Sequence, residues 1–143
     1  MRINEVLRGK SSEGVVTIAP DATVRDLVAL LAEHNVGALI VSGDGTAVDG
    51  IVSERDVVRK LHGNPGILDS DVQSIMTTPV RTCEPGSTVD ELMALMTEHR
   101  FRHVPVVSDG RLVGIISIGD VVKTRMAELE FERDQLDSYV HQT

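Results

Sequence analysis

The chain has 143 residues, 14 Lys and Arg against 22 Asp and Glu, a formal charge of −8, 41% hydrophobic residues and only 2% aromatics. That is enough for one compact domain, or two tightly fused half-domains burying roughly two-thirds of the unfolded chain's surface, and too little for most large enzyme folds. The acidic balance, the absence of any run of Lys or Arg and the scarcity of rings for bases to stack on speak against nucleic acid as the main partner.

The chain opens on Ile3, Val6 and Leu7 among charged neighbours, a short lead-in helix with no signal-peptide core. Residues 15–18 form a β-rich run that Pro20-Asp21 breaks. Thr23 offers an N-cap hydroxyl with Asp26 three residues on, and Val24, Leu27, Val28, Leu30 and Leu31 make an apolar face, so a helix is expected from about 23 to 34. Residues 36–41 read as a strand, Gly43-Asp44-Gly45 as a turn and residues 48–52 as the second arm of a hairpin. Ser53-Glu54-Arg55-Asp56 opens a second helix that ends before Gly63-Asn64-Pro65-Gly66. A short polar linker follows. The longest apolar stretches, such as 36–41, fall far short of the ~20 residues of a membrane span, so the expected location is cytoplasmic. A lone Cys83 excludes an intrachain disulfide.

The plan then repeats. At an offset of 65, Val15, Thr17, Pro20, Thr23, Val24, Leu27, Ala29, Leu30, Glu33 and His34 meet identical residues from Val80 to His99. Val41, Asp44 and Gly45 meet Val106, Asp109 and Gly110. At an offset of 64, Gly50, Ile51, Ser53, Asp56, Val57 and Val58 meet Gly114, Ile115, Ser117, Asp120, Val121 and Val122. Ile3, Val6 and Leu7 correspond to Val72, Ile75 and Met76, which predicts a matching lead-in helix before the second copy. The organisation is a repeat over 1–62, a linker at 63–71, a second repeat over 72–125 and a helical extension over 126–143. Neither copy of about 60 residues buries its sheet alone, so the two are expected to pack around a pseudo-twofold axis. In the extension, Val122, Leu129 and Leu136 are seven apart, an amphipathic helix that packs on the domain or on a second subunit.

The lead-in Val72-Gln73-Ser74-Ile75-Met76-Thr77, the segment His103-Val104-Pro105-Val106-Val107 and the twice-used Gly-Ile-x-Ser-x-x-Asp (Gly50 to Asp56, Gly114 to Asp120) resemble a tandem pair of CBS domains, named after cystathionine β-synthase. The resemblance implies an α/β (α+β-like) fold of two pseudo-symmetric β-α-β-β-α repeats packed through their sheets, with the C-terminal amphipathic helix outside them. It also implies clefts that bind AMP, ADP, ATP or S-adenosylmethionine as regulatory ligands. A homodimer and an unidentified effector protein are the partners expected.

The Ser-x-x-Asp pairs have a physical reason to hold a nucleotide. A helix N-terminus leaves N–H groups free and carries partial positive charge, which suits a phosphate, and an Asp one turn in accepts two hydrogen bonds from a ribose diol. Ser53 and Asp56 serve one cleft on this reading, Ser117 and Asp120 the other. Ser-x-x-Asp is also a capping box, the device Thr23 and Thr88 use for ordinary helices, and the two roles are compatible. The resemblance places the purine near Thr17 and Ile18 in one copy and Thr82 and Cys83 in the other, with Ala38 and His103 on the hairpins. All of these also suit a sheet core. Cys83 aligns with Ile18, which favours packing over redox chemistry.

The copies differ in charge. Arg102-His103 stands where the first copy has Gly37-Ala38, and Arg55 where the second has Gly119, so the cations for phosphate are Arg55, Arg102, His103 and Lys123 and the clefts are expected to differ in affinity. His34 and His99 sit near helix C-termini, where capping accounts for them, and His99 and His103 are expected on different faces; no metal site is predicted. No nucleophile with an adjacent base and no Walker-type loop is present in the sequence, so an enzyme is the least supported reading. A regulatory ligand-binding module is the leading one. A ligand-free interaction or scaffold protein, dimerising through the repeats and the C-terminal helix, is its alternative.

Overall fold

A computed structural model describes residues 1–10 and 15–141. Helix α1 (Ile3–Arg8) leads in. The first repeat runs β1 (Thr17–Ile18), α2 (Val24–His34), β2 (Ala38–Val41), β3 (Gly50–Ser53) and α3 (Glu54–Leu61). The second supplies α4 (Val89–His99), β4 (His103–Ser108), β5 (Arg111–Ser117) and α5 (Ile118–Val140).

All four main helices start on the same device. The side chains of Thr23, Ser53, Thr88 and Ser117 each accept from the backbone N–H three residues on, and the acidic residue there accepts from the cap's own N–H. Helices α2 and α4 end on left-handed residues, Asn35 at φ 51° and Arg100 at φ 58°. The first sheet has order β1-β2-β3, with β1 parallel and β3 antiparallel to β2, Thr17 opposite Ile40 and Ala38 opposite Ser53. In the second, β4 and β5 form a hairpin with His103 opposite Ser117. Its turn places Asp109 and Gly110 at φ 52° and 78°, the left-handed pair that a tight hairpin requires.

The second copy departs from the plan at its first strand. Only a single parallel bridge, Cys83 to Val106, remains. The Cys83 N–H reaches the Pro105 carbonyl at 3.0 Å, but Pro105 stands where the first copy has Ile40 and has no N–H to return, so the ladder stops. The expected lead-in helix at 72–76 is one 3-10 turn, Val72–Ser74. The linker is not merely polar: Pro65–Asp69 form a second 3-10 turn that lays Ile67 into the core.

Each copy has its own core. Val24, Leu27, Leu39, Val41 and Val52 centre the first, and Val89, Leu92, Val104, Val106 and Ile116 the second. The lead-ins are exchanged between them. Val72 and Ile75 join the first core, while Ile3 and Val6, at the other end of the chain, join the second. Matching hydrogen bonds hold both: Val72 N–H to Ala22 at 2.8 Å and Val24 N–H to Ser70 at 2.9 Å, against Ile3 N–H to Ser87 at 2.9 Å and Val89 N–H to Met1 at 3.0 Å. The pairing of Leu7 with Met76 holds as well, since each lies on the aligned glycine, Gly114 or Gly50. The pseudo-symmetric pair of mixed repeats with a C-terminal helix is the architecture expected. Helix α5 leaves the core after Val121, and Val122, Leu129 and Leu136 are exposed.

Candidate functional site

The turn from β3 into α3 faces the second repeat across a cleft of about 370 Å³, within the range of small-molecule sites. One wall is Ser53 to Asp56 with Arg59, the first turns of α3. The opposite wall comes from two stretches of the second repeat, residues 77–81 and 99–103. They meet because Thr77 pairs with Ile51 on the edge of β3, with the Ile51 N–H donating to the Thr77 carbonyl at 3.1 Å and the reverse bond at 2.8 Å.

At the base of α3, Asp56 Oδ2 accepts from the Ser53 N–H at 2.9 Å and from Ser53 Oγ at 3.1 Å. The Asp56 N–H donates to Ser53 Oγ at 3.2 Å. The box holds the carboxylate through one oxygen, and among the described residues the other, Oδ1, makes no hydrogen bond. Among the described residues no Lys or Arg pairs with Asp56.

The aligned carboxylate is engaged differently. Asp120 Oδ2 accepts from the Ser117 N–H at 2.9 Å and also from Lys10 Nζ at 2.7 Å, and the same ammonium donates to the Ile115 carbonyl at 2.7 Å. Burial raises the Asp120 carboxyl, but the hydrogen bonds of Lys10 and Ser117 outweigh it and leave it below its usual range. Lys10 follows α1 as Pro79 follows the second lead-in, and Pro79 lines the open cleft. At this position one copy therefore has a neutral ring in the cleft lining, and the other an ammonium bonded to the carboxylate.

Of the sequence-predicted residues, Ala38, Ser53, Arg55, Asp56, Arg102 and His103 line the cleft together. Thr17, Ile18, Thr82, Ser117 and Asp120 stand outside it, and Ile18 is buried in the first core. His103 packs between the repeats: a Cβ built on Gly37 would lie 3.4 Å from His103 Cε1 and 3.7 Å from Glu54 Oε1. Burial holds its imidazole below the usual 6.5, with Lys10 and Arg102 pushing the same way and Asp120 and Glu54 opposing. Burial likewise pushes the Cys83 thiol up to about 11, which keeps it protonated and suits a packing role.

Sequence reasoning missed Arg59, Arg81, Arg100 and the His99–Phe101 pair, whose rings stack at 5.5 Å in the cleft wall. His99 and His103, expected on different faces, both reach the cleft, because the chain turns back at Arg100. The available signal was the alignment itself: Arg81 and Arg100 stand where the first copy has Val16 and Asn35.

The fold and the repeats agree with the comparisons. The CBS domain pattern matches residues 5–63 and 72–127. The chain belongs to the CBS-domain family and carries two CBS domains, a pairing that defines regulatory modules. It is 38% identical over 96% of its length, and 71% of the relative's, to the mitochondrial CBS domain-containing protein CBSX3 of Arabidopsis thaliana. A crystal structure of a CBS-domain containing protein from Agrobacterium tumefaciens superposes with a TM-score of 0.82 at 44% identity, over 87% of this chain and 99% of that one. The structure of CBSX2 in complex with AMP matches at 0.70 and 27% identity, over 79% of this chain and 88% of that one. No described helix is long and apolar enough to cross a membrane.

Proposed function

We propose that this protein is a cytoplasmic regulatory sensor that binds an adenosine-containing ligand in the cleft at Ser53–Asp56. The observation that carries the reading is a fixed carboxylate with a free oxygen, at a helix N-terminus, inside a cleft built from both repeats. Asp56 takes the ribose hydroxyls, the α3 N-terminus and neighbouring arginines take the phosphate, and the apolar parts of Ile51, Pro79 and Val80 take the base. The AMP complex of CBSX2 supports this choice of ligand. A ligand touching α3 and the segment before α4 stabilises one relative placement of the repeats, and an effector protein or the dimer reads that placement. No catalytic step is assigned.

The two clefts are unequal on this reading, because a ligand at Asp120 first has to displace Lys10. The test is a thermal-shift titration with AMP, ADP and ATP. Ligand at about 100 times Kd stabilises the wild type by about 2.7 kcal/mol, a shift of several degrees. Asp56→Ala abolishes the shift and Asp120→Ala retains it. No shift with any of the three, or equal losses in both variants, overturns the assignment.

A further inference from the structure

The cleft is far more basic than one phosphate requires. Five of the chain's 11 arginines, Arg55, Arg59, Arg81, Arg100 and Arg102, line this single space, against two carboxylates, Glu54 and Asp56. The molecule around them carries −8 overall. Among the described residues none of the five makes an ion pair, whereas Arg25, Arg125 and Arg133 elsewhere are paired with Asp69, Glu128 and Asp134. All five are exposed, so water and salt screen their mutual repulsion in the free chain, but their fields add at the cleft and favour an anion there over a neutral or cationic ligand.

The fold does not demand these side chains. At the aligned positions the other copy has Gly119 for Arg55, Val16 for Arg81, Asn35 for Arg100 and Gly37 for Arg102; only Arg59 has a basic counterpart, Lys123. Arg100 is the sharpest case. It holds the left-handed C-cap at φ 58° and ψ 35° where its counterpart is Asn35, a residue type that tolerates this conformation far better than a long side chain does. A disfavoured backbone position held by an arginine of the cleft lining is strain located at a site.

Guanidinium groups bind phosphate oxygens in pairs. A terminal monophosphate has three such oxygens, already shared with the α3 N-terminus, and cannot engage five forks; a chain of two or three phosphates can. A sulfonium nucleoside adds a positive charge where five already stand. Resting on the adenosine reading above, we propose that the cleft selects a nucleoside di- or triphosphate over the monophosphate and over S-adenosylmethionine, with Arg81, Arg100 and Arg102 as the residues that read the phosphate chain.

The experiment is calorimetric titration of the full chain with adenosine, AMP, ADP, ATP, S-adenosylmethionine and inorganic tripolyphosphate. Affinity is expected to rise about tenfold or more with each phosphate added beyond the first, and S-adenosylmethionine to bind no better than adenosine. The triple variant Arg81→Val, Arg100→Asn, Arg102→Gly places in each position the residue its aligned backbone already carries, so it is expected to fold, which its ligand-free circular dichroism spectrum checks. In it the ratio of ATP to adenosine affinity is expected to collapse by about 100-fold. Binding of AMP or S-adenosylmethionine as tight as ATP, or a ratio unmoved in the variant, overturns the selection while leaving the nucleoside reading in place. Tripolyphosphate binding as tight as ATP and indifferent to Asp56→Ala overturns the nucleoside reading itself.

Discussion

His103 shows how one side chain records the difference between the two repeats. Its aligned partner is Ala38, so the imidazole is an addition to the symmetric plan, packed against Gly37 and within the field of Glu54. Burial lowers its pKa from the usual 6.5, and the folded state binds its proton more weakly than the unfolded chain does. Its contribution is complete above 6.5 and is lost as pH falls through that value toward the lower folded one. The melting temperature of the wild type is therefore expected to fall more steeply between pH 7 and 5 than that of His103→Ala, and parallel curves for the two refute it. The Asp120 contribution is separable, because its depressed carboxyl, normally near 3.8, surrenders stability only below that range. Cys83 was legible from its alignment with Ile18. Lys10 was not, because nothing in a lone lysine just past a lead-in announces the carboxylate it reaches 110 positions later.

Most elements were legible because their signals are local. Capping boxes at Thr23, Ser53, Thr88 and Ser117 and apolar spacing set the helix starts, and the glycine turns set the hairpins. The misjudged elements depend on distant partners: the shortened strand at Cys83 on Pro105, the 3-10 turn at Val72–Ser74 on its docking against residues 20–24. The docking of each lead-in rests on a glycine. A Cβ on Gly114 would lie 2.5 Å from Leu7 Cδ2, and one on Gly50 would lie 2.5 Å from Met76 Sδ and 3.2 Å from the Thr77 carbonyl oxygen. The Met76 tip can swing aside but the backbone oxygen cannot. Gly50→Ala is expected to cost about 1–3 kcal/mol in urea unfolding and to weaken ligand binding, since it pushes residues 77–81 off the cleft edge. An unchanged unfolding midpoint sinks that expectation.

At the scale of the whole molecule, one surface is unaccounted for within the chain. Leu129, Leu136 and Tyr139 on α5 are 50%, 65% and 77% exposed, and the aligned pair Val58 and Val122 is exposed as well. Single exposed apolar residues need no explanation, but a row of them along a 23-residue helix does. We propose that they form the interface of a homodimer. Light scattering is expected to report twice the 15.5 kDa chain mass, and Leu129→Arg with Leu136→Arg to halve it without loss of helix content. A wild type that stays monomeric at tens of micromolar excludes it, and α5 is then left to an effector protein.

The sequence by itself determined the duplication, the order of elements, the capping carboxylates and the family, because periodicity, caps and repeated motifs are written in neighbouring residues. Only the tertiary structure decided which clefts those carboxylates face. Exchange of the lead-ins brings residues 77–81 to Asp56 and Lys10 to Asp120, so two aligned motifs meet different neighbours, one an open basic cleft and the other an ammonium. Electrostatic energy depends on distance in space rather than along the chain, so the five arginines line one cleft only because the two repeats fold together.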